Sequence, residues 1–188
     1  MTSPTSPPAR DATLALLRER IRDVPDYPSP GVVFKDITPL LADPVAFGQL
    51  VDLLADECAR TGATRIVGVE ARGFVLGAAV AARARTGFVP ARKAGKLPGP
   101  TLSRSYDLEY GSAVLELKED ALGPADRVLV VDDVLATGGT AEAVLRLVGD
   151  TGATVAGLAV LLELGFLGGR ARLGRTLPDV PLHAVLSV

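Results

Sequence analysis

The stretch VLVVDDVLATGGT at residues 128–140 constrains this chain more than any other. Its first four residues are continuously apolar, which reads as a parallel strand buried on both faces; a strand with one wet face would alternate. Asp132 and Asp133 end the apolar run. Ala136, Thr137, Gly138, Gly139 and Thr140 then lead into a helical stripe of Val144, Leu147, Val148 and Thr151, closed by Gly152. Strand, glycine turn and helix in that order predict an open α/β sheet, whose ligands bind beyond the carboxyl ends of the strands. Glycines let backbone N–H groups close on an anion, and a helix N-terminus adds favourable partial charge. Thr137 and Thr140 add hydroxyl donors, so a phosphate monoester needs no lysine here. The two carboxylates suit sugar hydroxyls. Taken singly, they would serve equally well to end a strand and cap a helix. There is no Gly-Lys-Ser/Thr, hence no Walker loop, and no GxGxxG, which disfavours a dinucleotide.

The rest of the chain supports one α/β domain over residues 10–188. Residues 1–9, MTSPTSPPA, read as a disordered lead-in. Leu14, Leu17, Ile21 and Val24 recur at helical spacing with Asp11 as the expected cap, and PDYPSPG at residues 25–31 breaks the pattern. Asp43-Pro44 is a cap followed by proline at the first helical position, and Phe47, Leu50, Leu54 and Cys58 form the stripe behind it, ended by Gly62. Strands are expected at residues 65–70, 88–91, 128–132 and 155–162, and a small-residue helix at 74–85. Residues 92–110 are basic and rich in glycine and proline, and read as a long loop or hairpin.

Composition narrows the function. A formal charge of −2 over 188 residues argues against nucleic acid as the main partner, since a nucleic-acid reader would need a local basic patch that outweighs this balance. No apolar run approaches the 18 or so residues of a membrane span. One cysteine, Cys58, and one histidine, His183, leave no Cys/His zinc site, and Cys58 in its apolar stripe reads as a core thiol. A reduced, cytoplasmic setting is expected.

The segment at 128–140 resembles the motif by which type I phosphoribosyltransferases bind phosphoribosyl pyrophosphate (PRPP). The resemblance implies that fold: a mostly parallel central sheet flanked by helices, with a small N-terminal hood and a flexible catalytic loop. It implies that Asp132 and Asp133 take the ribose 2′- and 3′-hydroxyls and that the Ala136–Thr140 loop takes the 5′-phosphate.

Four further stretches resemble the adenine branch of that family. In PDYPSPGVVFKDITPLL, Val33, Phe34 and Lys35 match the base-holding segment: the Phe34 ring would stack on the purine and the backbone of its neighbours would read its edge. Alone, Phe34 would be read as core. GVEARGF resembles the pyrophosphate loop, which in the family often carries a non-proline cis peptide; Arg72 would meet phosphate oxygens. PARKAGKLPGPTLSRSYDLEYG resembles the catalytic loop. Arg92, Lys93 and Lys96 would meet the polyphosphate, Arg92 in the neighbouring subunit's site, which implies a homodimer. Glu109 would be the catalytic carboxylate, and Tyr110 follows it. In VLLELGFLGGRARL, Leu164 matches an apolar contact to the base. Val134 and Ala141 stand where bulkier residues are common.

The implied reaction joins adenine to PRPP, giving AMP and pyrophosphate. Mg2+ would be held mainly through PRPP, with no metal held mainly by protein side chains. The rivals are an enzyme acting on a 6-oxopurine, and a PRPP-sensing regulator that binds nucleic acid. The Val33–Lys35 and Leu-Glu-Tyr-Gly stretches speak against the first, the acidic balance and Glu109 against the second.

Overall fold

A computed structural model describes residues 7–107 and 112–188, in two compact units that divide between Asp52 and Leu53. In the N-terminal unit, helix α1 spans Pro7–Glu19. It starts inside the expected lead-in, and Asp11 lies within it rather than capping it. The first turn tolerates proline, because the missing N–H would have no helical partner there. Strands β1 (Arg22–Pro25) and β2 (Val33–Asp36) pair antiparallel, with Val24 opposite Phe34. The helix expected to continue through Ile21 to Val24 therefore ends early. A few apolar residues at mixed spacing fit either element, and pairing with β2 decides between them.

The PDYPSPG segment is the connection between these strands. It contains a cis Tyr27–Pro28 bond, and Gly31 N–H donates to Asp26 Oδ1 at 2.7 Å. After the short helix α2 (Thr38–Ala42), Asp43 caps α3 (Pro44–Thr61) as its sequence position requires. Its Oδ1 accepts from Val45 N at 2.9 Å and Ala46 N at 3.1 Å. Helix α3 carries the chain into the second unit and stops at Gly62, which has a φ of 64°.

The second unit runs β3 (Arg65–Val69), α4 (Arg72–Ala84), β4 (Gly87–Lys93), β5 (Thr101–Asp107), β6 (Ser112–Lys118), β7 (Arg127–Leu135), α5 (Gly139–Asp150), β8 (Thr154–Glu163), a 3-10 turn Gly165–Leu167, α6 (Gly169–Thr176) and β9 (Leu182–Ser187). Seven strands form one sheet in the order β5-β6-β4-β3-β7-β8-β9. The five from β4 to β9 are parallel, and the β5–β6 hairpin adds antiparallel to β4. The sheet is thus mostly parallel, as expected. Residues 92–110, read as loop or hairpin, supply the end of β4 and all of β5. The partner strand β6, and α6 and β9, had no clear sequence signal. Glu109 and Tyr110 lie outside the described residues.

The core follows from β7. Val128, Leu129, Val130 and Val131 are all fully buried. Val128 and Val130 pack with Val144, Leu147 and Val148 of α5 and with Leu158 and Val160 of β8. β3 leads through α4 to β4 on one side of the order and β7 through α5 to β8 on the other, and the right-handed sense that such connections take fixes the face each helix covers. The two helices therefore cover opposite faces, and the strand order reverses between β3 and β7. Cys58 is buried as expected, and burial pushes its thiol pKa up. Among the described residues, no helix is long and apolar enough to cross a membrane.

Candidate active site

The reversal between β3 and β7 leaves a crevice at their carboxyl ends, where an open α/β sheet takes its ligand. The second unit gathers three groups of residues there.

The first is the glycine turn after β7. Gly138 caps α5 with a φ of 85°, a left-handed conformation that glycine adopts without a Cβ penalty. Asp132 and residues 134–141 line a cavity of about 90 Å³, roughly the volume of three waters and suited to a phosphate group. The lining has no lysine or arginine. Its acid in the first helical turn, Glu142, is engaged by two arginines: Arg172 Nε donates at 2.8 Å and Arg146 Nε at 3.0 Å. Any attraction for an anion there would therefore come from main-chain N–H groups and the helix end.

The second group is the aspartate pair with Arg72. Helix α4 approaches β7 closely because Gly73 has no side chain. A Cβ there would stand 2.8 Å from the Val131 carbonyl oxygen and 2.9 Å from Asp132 Oδ1. That approach sets Arg72 Nε 2.5 Å from Asp133 Oδ2. Asp133 is buried, and among the described residues its Oδ2 has the Arg72 ion pair but no aligned hydrogen bond. Asp132 accepts from Asp133 N at 2.9 Å. Burial, then the neighbouring Asp133 charge, pushes the Asp132 carboxyl well above the usual range, against a smaller opposing pull from Arg72. The Glu70–Ala71 bond beside this group is cis without a proline, a feature implied for this loop by the resemblance.

The third group centres on Glu70, a residue for which no role was read from the sequence. Its carboxylate draws in three of the expected polyphosphate contacts. Lys96 Nζ lies 2.5 Å from Oε1, and Oε2 accepts from Arg92 Nε at 3.3 Å and from the Lys93 backbone N–H at 3.0 Å. Arg92 also stands over the Phe74 ring, 5.8 Å from its centroid. The Lys96 hydrogen bond, with the Lys93 and Arg92 donors, outweighs burial and holds the Glu70 carboxyl down at about 2. A depressed carboxylate stabilises the fold above its ordinary pKa of 4.5, and that contribution is lost as pH falls through about 2. A carbon-detected NMR titration of Glu70 should accordingly show a midpoint near 2. A midpoint near 4 would mean that the cations do not hold it.

The base-holding candidates fall in both units. In the first, Val33 is half exposed, the Phe34 ring meets Tyr27 edge-on at 5.2 Å, and Lys35 Nζ pairs with Asp23 at 2.7 Å. Phe34 is only partly buried, so it is not the core residue that its type alone would suggest. In the second, half-buried Leu164 follows β8, and its N–H donates to the Leu135 carbonyl at 2.9 Å. Sequence reading also missed Gly169 and the close approach that Gly73 permits. Their signal is steric and exists only once the elements are packed.

A mostly parallel sheet with a phosphate-sized backbone cradle and an aspartate pair at its switch point defines a class, and known proteins agree with it. Residues 41–178 match the model of the phosphoribosyl transferase domain, and the chain belongs to that family. Adenine phosphoribosyltransferase of Streptomyces coelicolor is 66% identical over the whole of both chains. The crystal structure of adenine phosphoribosyltransferase from Rhodothermus marinus superposes with a TM-score of 0.87 at 49% identity, covering 95% of this chain and 99% of that one. The Saccharomyces cerevisiae adenine phosphoribosyltransferase, complexed with adenine and an imino-altritol bisphosphate, also gives 0.87, at 34% identity over 94% of this chain and 99% of its own. Within the family, the chain belongs to the adenine phosphoribosyltransferases.

Proposed function

We propose that this protein transfers the phosphoribosyl group of PRPP to adenine in purine salvage, giving AMP and pyrophosphate. The observation that carries the reading is the backbone cradle of α5 beside buried Asp133, whose Oδ2 lacks an aligned donor. A ribose hydroxyl supplies such a donor when the 5′-phosphate occupies the cradle. The S. coelicolor relative and the adenine-bound yeast structure supply the choice of base.

In this reading a ring nitrogen of adenine forms the new bond to the anomeric carbon, the bond to the pyrophosphate oxygen breaks, and the base loses its N–H proton. The sugar becomes cationic while the leaving group gains charge, so catalysis is mostly positional and electrostatic. The amides of residues 136–140 and the hydroxyls of Thr137 and Thr140 hold the 5′-phosphate. Asp132 and Asp133 accept from the ribose hydroxyls. Arg72, Lys93 and Lys96, with Arg92 reaching into the neighbouring subunit of a homodimer, meet the pyrophosphate. Glu109 stabilises the cationic sugar or takes the base proton, and Val33, Phe34, Lys35 and Leu164 hold the base.

Among the described residues, no group of three or more His, Cys, Asp or Glu could cage a metal. That donor set fits a magnesium ion carried by PRPP oxygens and water, with at most a carboxylate or two from the chain. Bound that way, the ion would supply charge neutralisation to the leaving group. A cytoplasmic setting goes with highly charged phosphate substrates, which do not cross membranes unaided.

The test is a panel of adenine, guanine, hypoxanthine and xanthine with PRPP and magnesium. Adenine should be consumed and AMP formed, at a kcat/KM at least about a hundredfold above the others, because a site built to pair with an exocyclic amine leaves its polar groups unmatched on a 6-oxopurine. Preference for a 6-oxopurine would overturn the base assignment. Turnover with none, together with PRPP-dependent capture of DNA on a filter, would favour the regulator.

A further inference from the structure

The phosphate cradle has a back wall, and the wall is the first turn of α6. A Cβ on Gly169 would collide with the Ala136 carbonyl oxygen and stand 3.1 Å from Gly138 N. A Cβ on Gly138 would stand 3.1 Å from Gly169 O and 3.4 Å from Arg172 Cδ. Backbone rests on backbone here, so any movement of α6 is passed directly to the loop.

Glu142 and two arginines hold that wall in place. The Glu142 side chain, largely buried in the first turn of α5, accepts from Arg172 Nε on α6 at 2.8 Å. Its other oxygen accepts from Arg146 Nε at 3.0 Å, and Arg146 Nη2 donates to the Thr176 carbonyl at the far end of α6 at 3.3 Å. Helix α5 thus holds α6 at its middle through the Glu142 carboxylate and at its C-terminal end through Arg146, which that carboxylate also engages. A bare glutamate in this first turn would repel an anion at the same helix end, and the two guanidiniums offset that charge.

We propose that the Glu142–Arg172 pair positions the phosphate loop: it holds α6 against Gly138, so that the amides of residues 136–140 stay aimed at a sugar 5′-phosphate. This rests on the functional reading above. Neither residue needs to touch the ligand. The pair acts through the geometry of the loop, where displacement of an ångström is costly.

Ribose 5-phosphate binding, measured by calorimetry, tests the pair without requiring turnover. In Arg172→Ala and in Glu142→Ala the affinity should fall about tenfold, and the double variant should be no weaker than the weaker single one, as expected for two partners in one interaction. Steady-state kinetics should show the same rise in KM for PRPP, with kcat and the KM for adenine within about twofold. Arg172→Lys keeps the charge and the aliphatic stem but loses the Nε donor, and should give a smaller loss in the same direction. Tighter binding in Glu142→Ala would overturn the proposal, since it would show that the pair acts only through charge. So would unchanged affinity in both arginine variants, or a uniform loss of all three kinetic parameters with a lowered melting temperature. Wild-type protein that binds ribose 5-phosphate but never consumes adenine would sink the functional reading and leave the clamp standing.

Discussion

Replacing Asp132 and Asp133 together by alanine should weaken PRPP binding by about a hundredfold or more. A hydrogen bond to a charged acceptor contributes about 1.5–3 kcal/mol, so two of them correspond to roughly 10²–10⁴ in affinity. The single variants should separate function from stability. The Asp132 carboxylate lies under the first turn of α4, and burial with the Asp133 charge raises its pKa. A carboxyl whose folded pKa is raised loses stability as pH climbs past its unfolded value of about 3.9, and the full cost is felt above the raised value. Asp132→Asn should therefore melt higher than the parent at neutral pH, with the gap closing in acid, while binding PRPP less well. Asp133→Ala gives up its contact with Arg72, whose side chain is 45% exposed, so its stability should change by less than about 1 kcal/mol. Calorimetry and thermal melts read both quantities. Undiminished affinity in the double variant would refute the assignment of the pair to ribose.

Glu109→Ala should lower kcat by about a hundredfold or more while PRPP still binds, the range expected when a positioned acid–base or charge-stabilising group is removed. The engagements of the other carboxylates support that expectation. Glu70 is committed to Lys96 and Arg92, Asp133 faces Arg72, and Asp132 is enclosed with its pKa raised. Among the described residues Glu70 and Asp133 thus already face cations, and in the proposed mechanism a developing positive charge at the anomeric carbon would fall to Glu109. Glu109 falls between β5 and β6 in the chain, outside the described residues. The pH profile should then tell its two roles apart. A lost basic limb in the variant means that it manages the proton, and an unchanged profile at lower height means that it stabilises charge. Unaltered kcat would remove Glu109 from the mechanism.

The strand, turn and helix at residues 128–150 were legible in the sequence for a physical reason. Buried parallel strands advertise themselves by continuous apolar runs, and β7 with its aspartates, glycine turn and helix is local in sequence. Backbone chemistry at 132–140 therefore follows from residue order alone. Long-range packing does not. Ile21 and Val24 fitted a helix until β2 offered Val24 a partner, and β9 carries too little pattern to stand out. The charge of Arg92 and Lys96 was visible, but their anchor was not, because Glu70 and Lys96 are 26 positions apart and meet only when β3 and β4 lie side by side. Gly169 was silent for the same reason.

Glu70 has a consequence for energetics. The cations proposed to meet pyrophosphate already hold an anion. An incoming ligand that draws Lys96 away would exchange one negative partner for another instead of creating an ion pair from solvated charges. Few bound counterions are released in such a trade, so affinity should respond to ionic strength more weakly than the number of contacting cations suggests. The carboxylate left behind repels the departing product, and loading and unloading of the site become two directions of one displacement.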